Sequence, residues 1–171
     1  MNVKAEISRE GKKFTIISES GSQTLRNHVL HKLLDGEREA AEGKMQEQTR
    51  LSRANYEFHA EARESASEST RFLLRITPRK KNKFVWQGLI WVDNSEYAVV
   101  RASGSPAKMP SWWTTSSTFS YTNQKVGNQW VPQQNISDTN IRFGGHAHLA
   151  IDYTGCHVQP TDTNPSVKPA E

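Results

Sequence analysis

From residue 54 onward the chain reads as a series of short strands, most of them alternating apolar and polar residues, with Gly, Pro, Asn, Asp or Ser between them at short intervals. That period belongs to extended strands, whose side chains point alternately to two faces. Tyr56, Phe58 and Ala60 alternate with Glu57, His59 and Glu61. After a turn-rich stretch at 64–70, Phe72, Leu74 and Ile76 alternate with Leu73, Arg75 and Thr77, which predicts a hairpin. Residues 84–92 are apolar on both parities, as in a strand covered on both faces. Asp93, Asn94 and Ser95 predict a turn, 97–102 a strand, and 103–110, with Pro106 and Pro110, an irregular connection. Two more hairpins are expected, 118–122 with 129–135 around Gly127, and 139–143 with 146–153 around Gly144-Gly145.

The first third of the chain has a different rhythm. Residues 3–8 and 13–18 predict a hairpin turning at Glu10-Gly11. Between about 24 and 48, Leu25, Val29 and Leu33 recur at four-residue steps beside Leu30, Leu34, Ala41 and Met45, which predicts an amphipathic helix. Ser20 and Ser22 are candidate caps. Asp35-Gly36 lies in the middle, so a kink is expected there, with Asp35 capping the second half. The sum is two strands, one helix and about eight further strands. The expected fold is α+β and mostly antiparallel, a meander with one kinked helix packed on the concave face of a curved sheet. A single domain is expected over 1–158, with its meander over 54–158, and 159–171 has the composition of a disordered tail.

Composition excludes several classes. The chain has 171 residues and a net charge of +4, spread thinly except at Arg79, Lys80, Lys81 and Lys83. A nucleic-acid binder would concentrate its basic residues on one stripe, so no nucleic-acid partner is expected. No apolar run is long enough for a membrane helix, and the residues after Met1 have no apolar core of a secretory signal. Cys156, the one cysteine, cannot form an internal disulfide.

Catalytic and metal motifs are equally sparse. There is no nucleophile elbow, phosphate loop or zinc-protease helix motif, so neither an enzyme nor a cofactor is expected. His146, His148 and Asp152 share one strand face and could ligate a metal, but the opposite parity is the apolar one, so they read as the wet face of a hairpin. His28 and His31 read as helix surface or as partly buried, and no metal site is expected.

Five tryptophans, Trp86, Trp91, Trp112, Trp113 and Trp130, are more than a core of this size needs. Core packing is the plain account, and an aromatic-lined hollow for an apolar ligand the alternative. Such a groove would draw on Phe72, Leu74, Trp86, Ile90, Phe119, Tyr121, Trp130 and Ile141. Arg79, Lys80, Lys81 and Lys83 would meet an anionic headgroup or form a solvated hairpin tip.

Several stretches carry a resemblance: FTIISESG (14–21), HKLL (31–34), EREAA (37–41), NYEF (55–58), GLIWVD (88–93), SPAKMPSW (105–112) and WVP (130–132). Together they resemble bacterial outer-membrane lipoprotein-sorting-protein-like domains of the LolA/LolB-like superfamily, over most of the chain to about Tyr153. The resemblance implies a LolA-like half-barrel, an incomplete antiparallel barrel with a helix across its opening and an apolar pocket for acyl chains. It implies a periplasmic location and an N-terminally shortened member, since the family has a signal peptide and further N-terminal structure; the chain as written would otherwise stay in the cytoplasm. No residue matches the lipid-gating arginine of the lipoprotein carriers, so lipoprotein transport is not implied. The expected function is a non-enzymatic, envelope-associated module that binds a lipid or other hydrophobe. The alternative is a protein-interaction or scaffold domain that offers an exposed sheet edge to another envelope protein.

Overall fold

The computed structural model describes residues 1–8, 11–21, 23, 31–40, 43–66, 69–109 and 111–158. The chain forms two compact units, one comprising Met1–Phe58, Ile76–Gln87 and Pro106–Pro110, the other His59–Arg75, Gly88–Ser105 and Ser111–Glu171. Nine strands and two helices are described within them. β1 (Asn2–Ser8) and β2 (Gly11–Ser18) form an antiparallel two-stranded sheet. β3 (Tyr56–Ala66), β4 (Ser69–Pro78), β5 (Trp86–Asp93), β6 (Val99–Pro106), β7 (Thr114–Val126), β8 (Gln129–Ile141) and β9 (Gly145–Asp152) follow one another in space as in sequence in a seven-stranded sheet. β6 through β9 are antiparallel. Among the described residues β3 does not pair with β9, so the sheet is open.

In the first unit, α1 (His31–Ala40) and α2 (Gly43–Thr49) divide the predicted helix, and the division is not where Gly36 suggested. α1 runs through Asp35-Gly36 unbroken. Asp35 accepts a hydrogen bond at 3.3 Å from Arg38 one turn on, so its carboxylate supports the helix instead of capping a new one. The cost of about 1 kcal/mol for Gly against Ala is too small to interrupt a helix of otherwise good formers. Positions 24–30, the Ser22 cap and the tail from 159 lie outside the described residues. Asn55 closes the end of α2, its side-chain amide donating to the carbonyls of Glu47 at 2.7 Å and Arg50 at 2.8 Å. The adjacent Tyr56 is buried, as are Ile76 and Val85, and these form the core of this unit. Burial raises the pKa of the Tyr56 hydroxyl.

The second unit is almost entirely sheet, with Ile90, Val100 and Ala102 buried. Several sequence expectations need correction. β3 continues to Ala66 and β4 begins at Ser69, so the stretch at 64–70 is mostly strand. β6 continues through Ser103, Gly104 and Ser105 to Pro106, where 103–110 was expected to be irregular. A proline as last residue of a strand deprives the ladder of only a terminal donor. Glycine at 88 allows this extension: at φ +155° its position has no room for a side chain, since a Cβ would lie 2.1 Å from the Ser103 carbonyl oxygen. The predicted strands at 129–135 and 139–143 are one strand, β8, paired along its length with a β7 longer than the expected 118–122. The gap expected at 136–138 is continuous strand, and the polar side chains there and beyond find partners across the ladder, Asp138 with His148, Thr139 with Ser117 and Asn140 with His146. The meander therefore has seven strands instead of eight.

The two-residue turn at Gly144-Gly145 is replaced by a three-residue loop. Ile141 pairs with Gly145, leaving Arg142, Phe143 and Gly144 to turn. The Gly127-Asn128 turn is as expected, with Val126 opposite Gln129 and Gly127 at φ +58°. Asp93 ends β5, and its carboxylate accepts bonds from the Ser95 hydroxyl at 2.5 Å and from the backbone N–H groups of Ser95 and Glu96, both at 2.9 Å. These donors hold the Asp93 carboxyl below its ordinary pKa, the Ser95 hydroxyl foremost. Tyr97, expected inside a strand, instead takes a left-handed φ of 55° just before β6.

Candidate functional site

At one end of β7 and β8, three aromatic rings stand in solvent. Trp112 and Trp113 precede β7, and Phe143 occupies the β8–β9 loop; they are 59%, 51% and 83% exposed. The two indoles stack with centroids 4.3 Å apart and planes 15° from parallel, and Phe143 meets them edge-on at 6.3 and 6.0 Å. The Arg142 guanidinium lies 4.9 Å from the Trp112 ring. The backbone fixes this arrangement. Arg142 N–H donates to the Trp113 carbonyl at 2.7 Å, and Thr114 N–H donates to the Ser111 carbonyl at 3.2 Å. Phe143 is held at φ 71°, which costs a residue with a Cβ about 1 kcal/mol or more.

The pairing register leads from this tip along one face of β7 and β8. Thr114 faces Ile141, Ser117 faces Thr139, Phe119 faces Ser137, Tyr121 faces Asn135, and beyond the irregularity after Thr122, Lys125 faces Trp130. Phe119 and Tyr121 are half-buried, 6.4 Å apart with planes 5° from parallel. From β9, Leu149 and Ile151 join the same face opposite Ser137 and Asn135, and from β6, Ala102 and Gly104 lie opposite Tyr121 and Phe119. At the far end the Trp130 indole donates to Glu96 at 2.5 Å, and Lys125 pairs with the same carboxylate. The Lys125 bond, then the Trp130 bond, lowers the pKa of Glu96.

Of the eight positions expected to line an apolar groove, the register thus brings Phe119, Tyr121, Trp130 and Ile141 to one face. Ile141 is exposed, next to the aromatic tip. Ser117, Asn135, Ser137 and Thr139 lie among them, so the strip is mixed and not uniformly apolar. Phe72 and Leu74 share one face of β4, both half-buried, with the Arg63 guanidinium 5.7 Å from the Phe72 ring. Ile90 is buried in β5, and Trp86, at the start of that strand, belongs to the first unit. None of the eight lines a neighbouring depression of about 460 Å³, which is walled by polar residues including Thr122, Gln124, Gln133, Gln134 and Asp152.

The basic group also belongs to the first unit, and two of its members are engaged. Arg79 pairs with Glu57 at 3.0 Å and donates to the Arg53 carbonyl at 3.1 Å. Lys83 pairs with Glu39 at 3.5 Å and lies 4.4 Å from the Phe84 ring. Lys80 and Lys81 are exposed. His146 and His148 both reach Asp138 on β8, at 3.2 and 2.8 Å, while Asp152 accepts from Gln134 at 2.7 Å. The His148 bond, ahead of the His146 one, lowers the pKa of the Asp138 carboxyl. Among the described residues no group of histidine, cysteine and carboxylate side chains is arranged to hold a metal.

Trp112, Trp113, Arg142 and Phe143 were absent from the expected groove. No local signal marks them, since Trp112 and Trp113 precede β7 and lie outside its alternation, and Phe143 meets them only through the β8–β9 loop. Comparison with known proteins finds no matching family model, no matching curated protein and no matching solved structure.

Proposed function

We propose that this chain is a non-enzymatic, envelope-associated module that binds a lipid or other hydrophobe, related to the lipoprotein-sorting proteins and built as an incomplete barrel of their kind. The Trp112–Trp113–Phe143 cluster carries this reading. Large rings gathered in solvent, one of them on a strained backbone, are costly to keep unless something apolar covers them. Roughly 400 Å² of ring surface is open at this tip, which would contribute about 10 kcal/mol when covered. Association costs of several kcal/mol leave a reversible interaction, as carriage requires. Arg142 adds a cation where an anionic headgroup would sit, and Ile141, Phe119 and Tyr121 extend the contact inward along the sheet.

The test follows indole fluorescence as vesicles of neutral lipid, with and without anionic lipid, are added to the intact protein. The expected result is a blue shift with co-sedimentation, lost in a Trp112→Ser, Trp113→Ser double variant. Arg142→Gln should weaken binding to the anionic vesicles only. An unchanged spectrum with either vesicle, together with no uptake of a fluorescent fatty acid, rejects the proposal.

A further inference from the structure

The last strand, β9, offers a second and separate surface. It forms one border of the sheet, and among the described residues no strand pairs with its outer side. Such borders are commonly blunted by a bulge, a proline, a lysine or a very short length. β9 uses none of these: its eight residues contain neither proline nor lysine, and its register with β8 runs from Gly145 to Asp152 without a shift. The opposite border, β3, bears Glu57, Glu61 and Arg63, with Glu57 tied to Arg79 and Glu61 to Arg75.

The hydrogen-bond phase of β9 is fixed by Tyr153, whose N–H donates to the Gln133 carbonyl on β8 at 2.9 Å. In an antiparallel ladder the groups facing one neighbour alternate along the strand. The odd-numbered residues of β9 therefore bond to β8, and His146, His148, Ala150 and Asp152 turn their N–H and C=O groups outward. Side chains alternate as well: Ala147, Leu149 and Ile151 are half-buried, while His146, His148, Ala150 and Asp152 are exposed.

We propose that β9 pairs with β9 of a second copy of this chain, antiparallel about a two-fold axis at Leu149. This inference goes beyond the hydrophobe-binding reading and does not rest on it. The sequence of the strand is complementary to itself in that register. His146 lies opposite Asp152 on both sides of the axis, an imidazole against a carboxylate. Ala147 lies opposite Ile151, and Leu149 meets its own copy, so the half-buried face continues across the junction. The outward-facing residues then pair as His146 with Asp152 and His148 with Ala150, the phase that backbone bonding requires. Centring one residue earlier sets His148 against itself, and centring one residue later shortens the paired strand. The longest register that sets an imidazole against a carboxylate is the one at Leu149.

Sedimentation of the full chain over a range of concentrations, with a cysteine scan beside it, tests this. The protein should reach a dimer, and Ala150→Pro, which removes an outward N–H and leaves the β8 ladder intact, should sediment as a monomer at concentrations where the parent is dimeric. In a Cys156→Ser background, Leu149→Cys should form a disulfide dimer on mild oxidation, because facing residues at the axis come within disulfide reach. Ala147→Cys or Ile151→Cys alone should not cross-link, while a mixture of the two should. A monomer at every soluble concentration overturns the proposal, as does a dimer in which Leu149→Cys fails to cross-link. If Ala150→Pro does not fold, the cysteine scan decides.

Discussion

At the scale of single residues, three positions turn geometry into measurable consequences. Asp93→Ala removes the acceptor of three hydrogen bonds at the end of β5, two of them from backbone N–H groups, and should cost about 2 kcal/mol in chemical denaturation. Gly88→Ala drives a methyl group into the Ser103 carbonyl and should cost about 3 kcal/mol or prevent folding. Phe143→Gly has a divided effect. Release of a left-handed phenylalanine should leave stability unchanged or raise it by about 1 kcal/mol, while vesicle binding falls. Equal loss of stability and binding would show that Phe143 is a structural residue instead of a contact residue.

The elements show what the sequence could and could not say. The β1–β2 hairpin, the Gly127-Asn128 turn and most strand positions were legible because alternation and turn chemistry are local. The unbroken α1 was not: Gly36 predicted a kink from propensity alone, while the Arg38–Asp35 bond and the small size of the penalty decided otherwise. Gly36→Ala should therefore raise stability by up to about 1 kcal/mol, since a Cβ there meets nothing within 4 Å. A fall in thermal midpoint would restore the expected break. β8 was not legible as one strand, because the polar residues Ser137, Asp138, Thr139 and Asn140 interrupt its apolar alternation. The partners of Asp138 and Asn140, His148 and His146, come from a strand beyond the next loop, and only pairing reveals them. The aromatic tip was missed for the same reason: Trp112 and Phe143 are 31 positions apart in sequence and meet only through the β8–β9 loop.

For the whole molecule, the strand-rich class was plain from period alone, whereas the division into two compact units depends on contacts between distant segments. Charge acts at this scale too. The carboxyls of Glu61, Asp93, Glu96 and Asp138 all have lowered pKa values, from bonds led by Arg75, Ser95, Lys125 and His148. A carboxyl lowered in the folded state favours folding above its ordinary value, and that contribution is lost as pH falls through the folded value. Urea midpoints should hold steady from neutral pH down to the ordinary carboxylate range and decline below it. Since most of these pairs are exposed, added salt should reduce the difference.

The most direct test of hydrophobe binding is solvent extraction and native mass spectrometry of the full chain, purified without detergent and then offered a long-chain fatty acid. Binding through the Trp112–Trp113–Phe143 tip predicts a mass adduct of one or a few acyl chains, diminished in Phe143→Gly while that variant stays folded. A protein that emerges bare, takes up no fatty acid and behaves identically in both forms would contradict it.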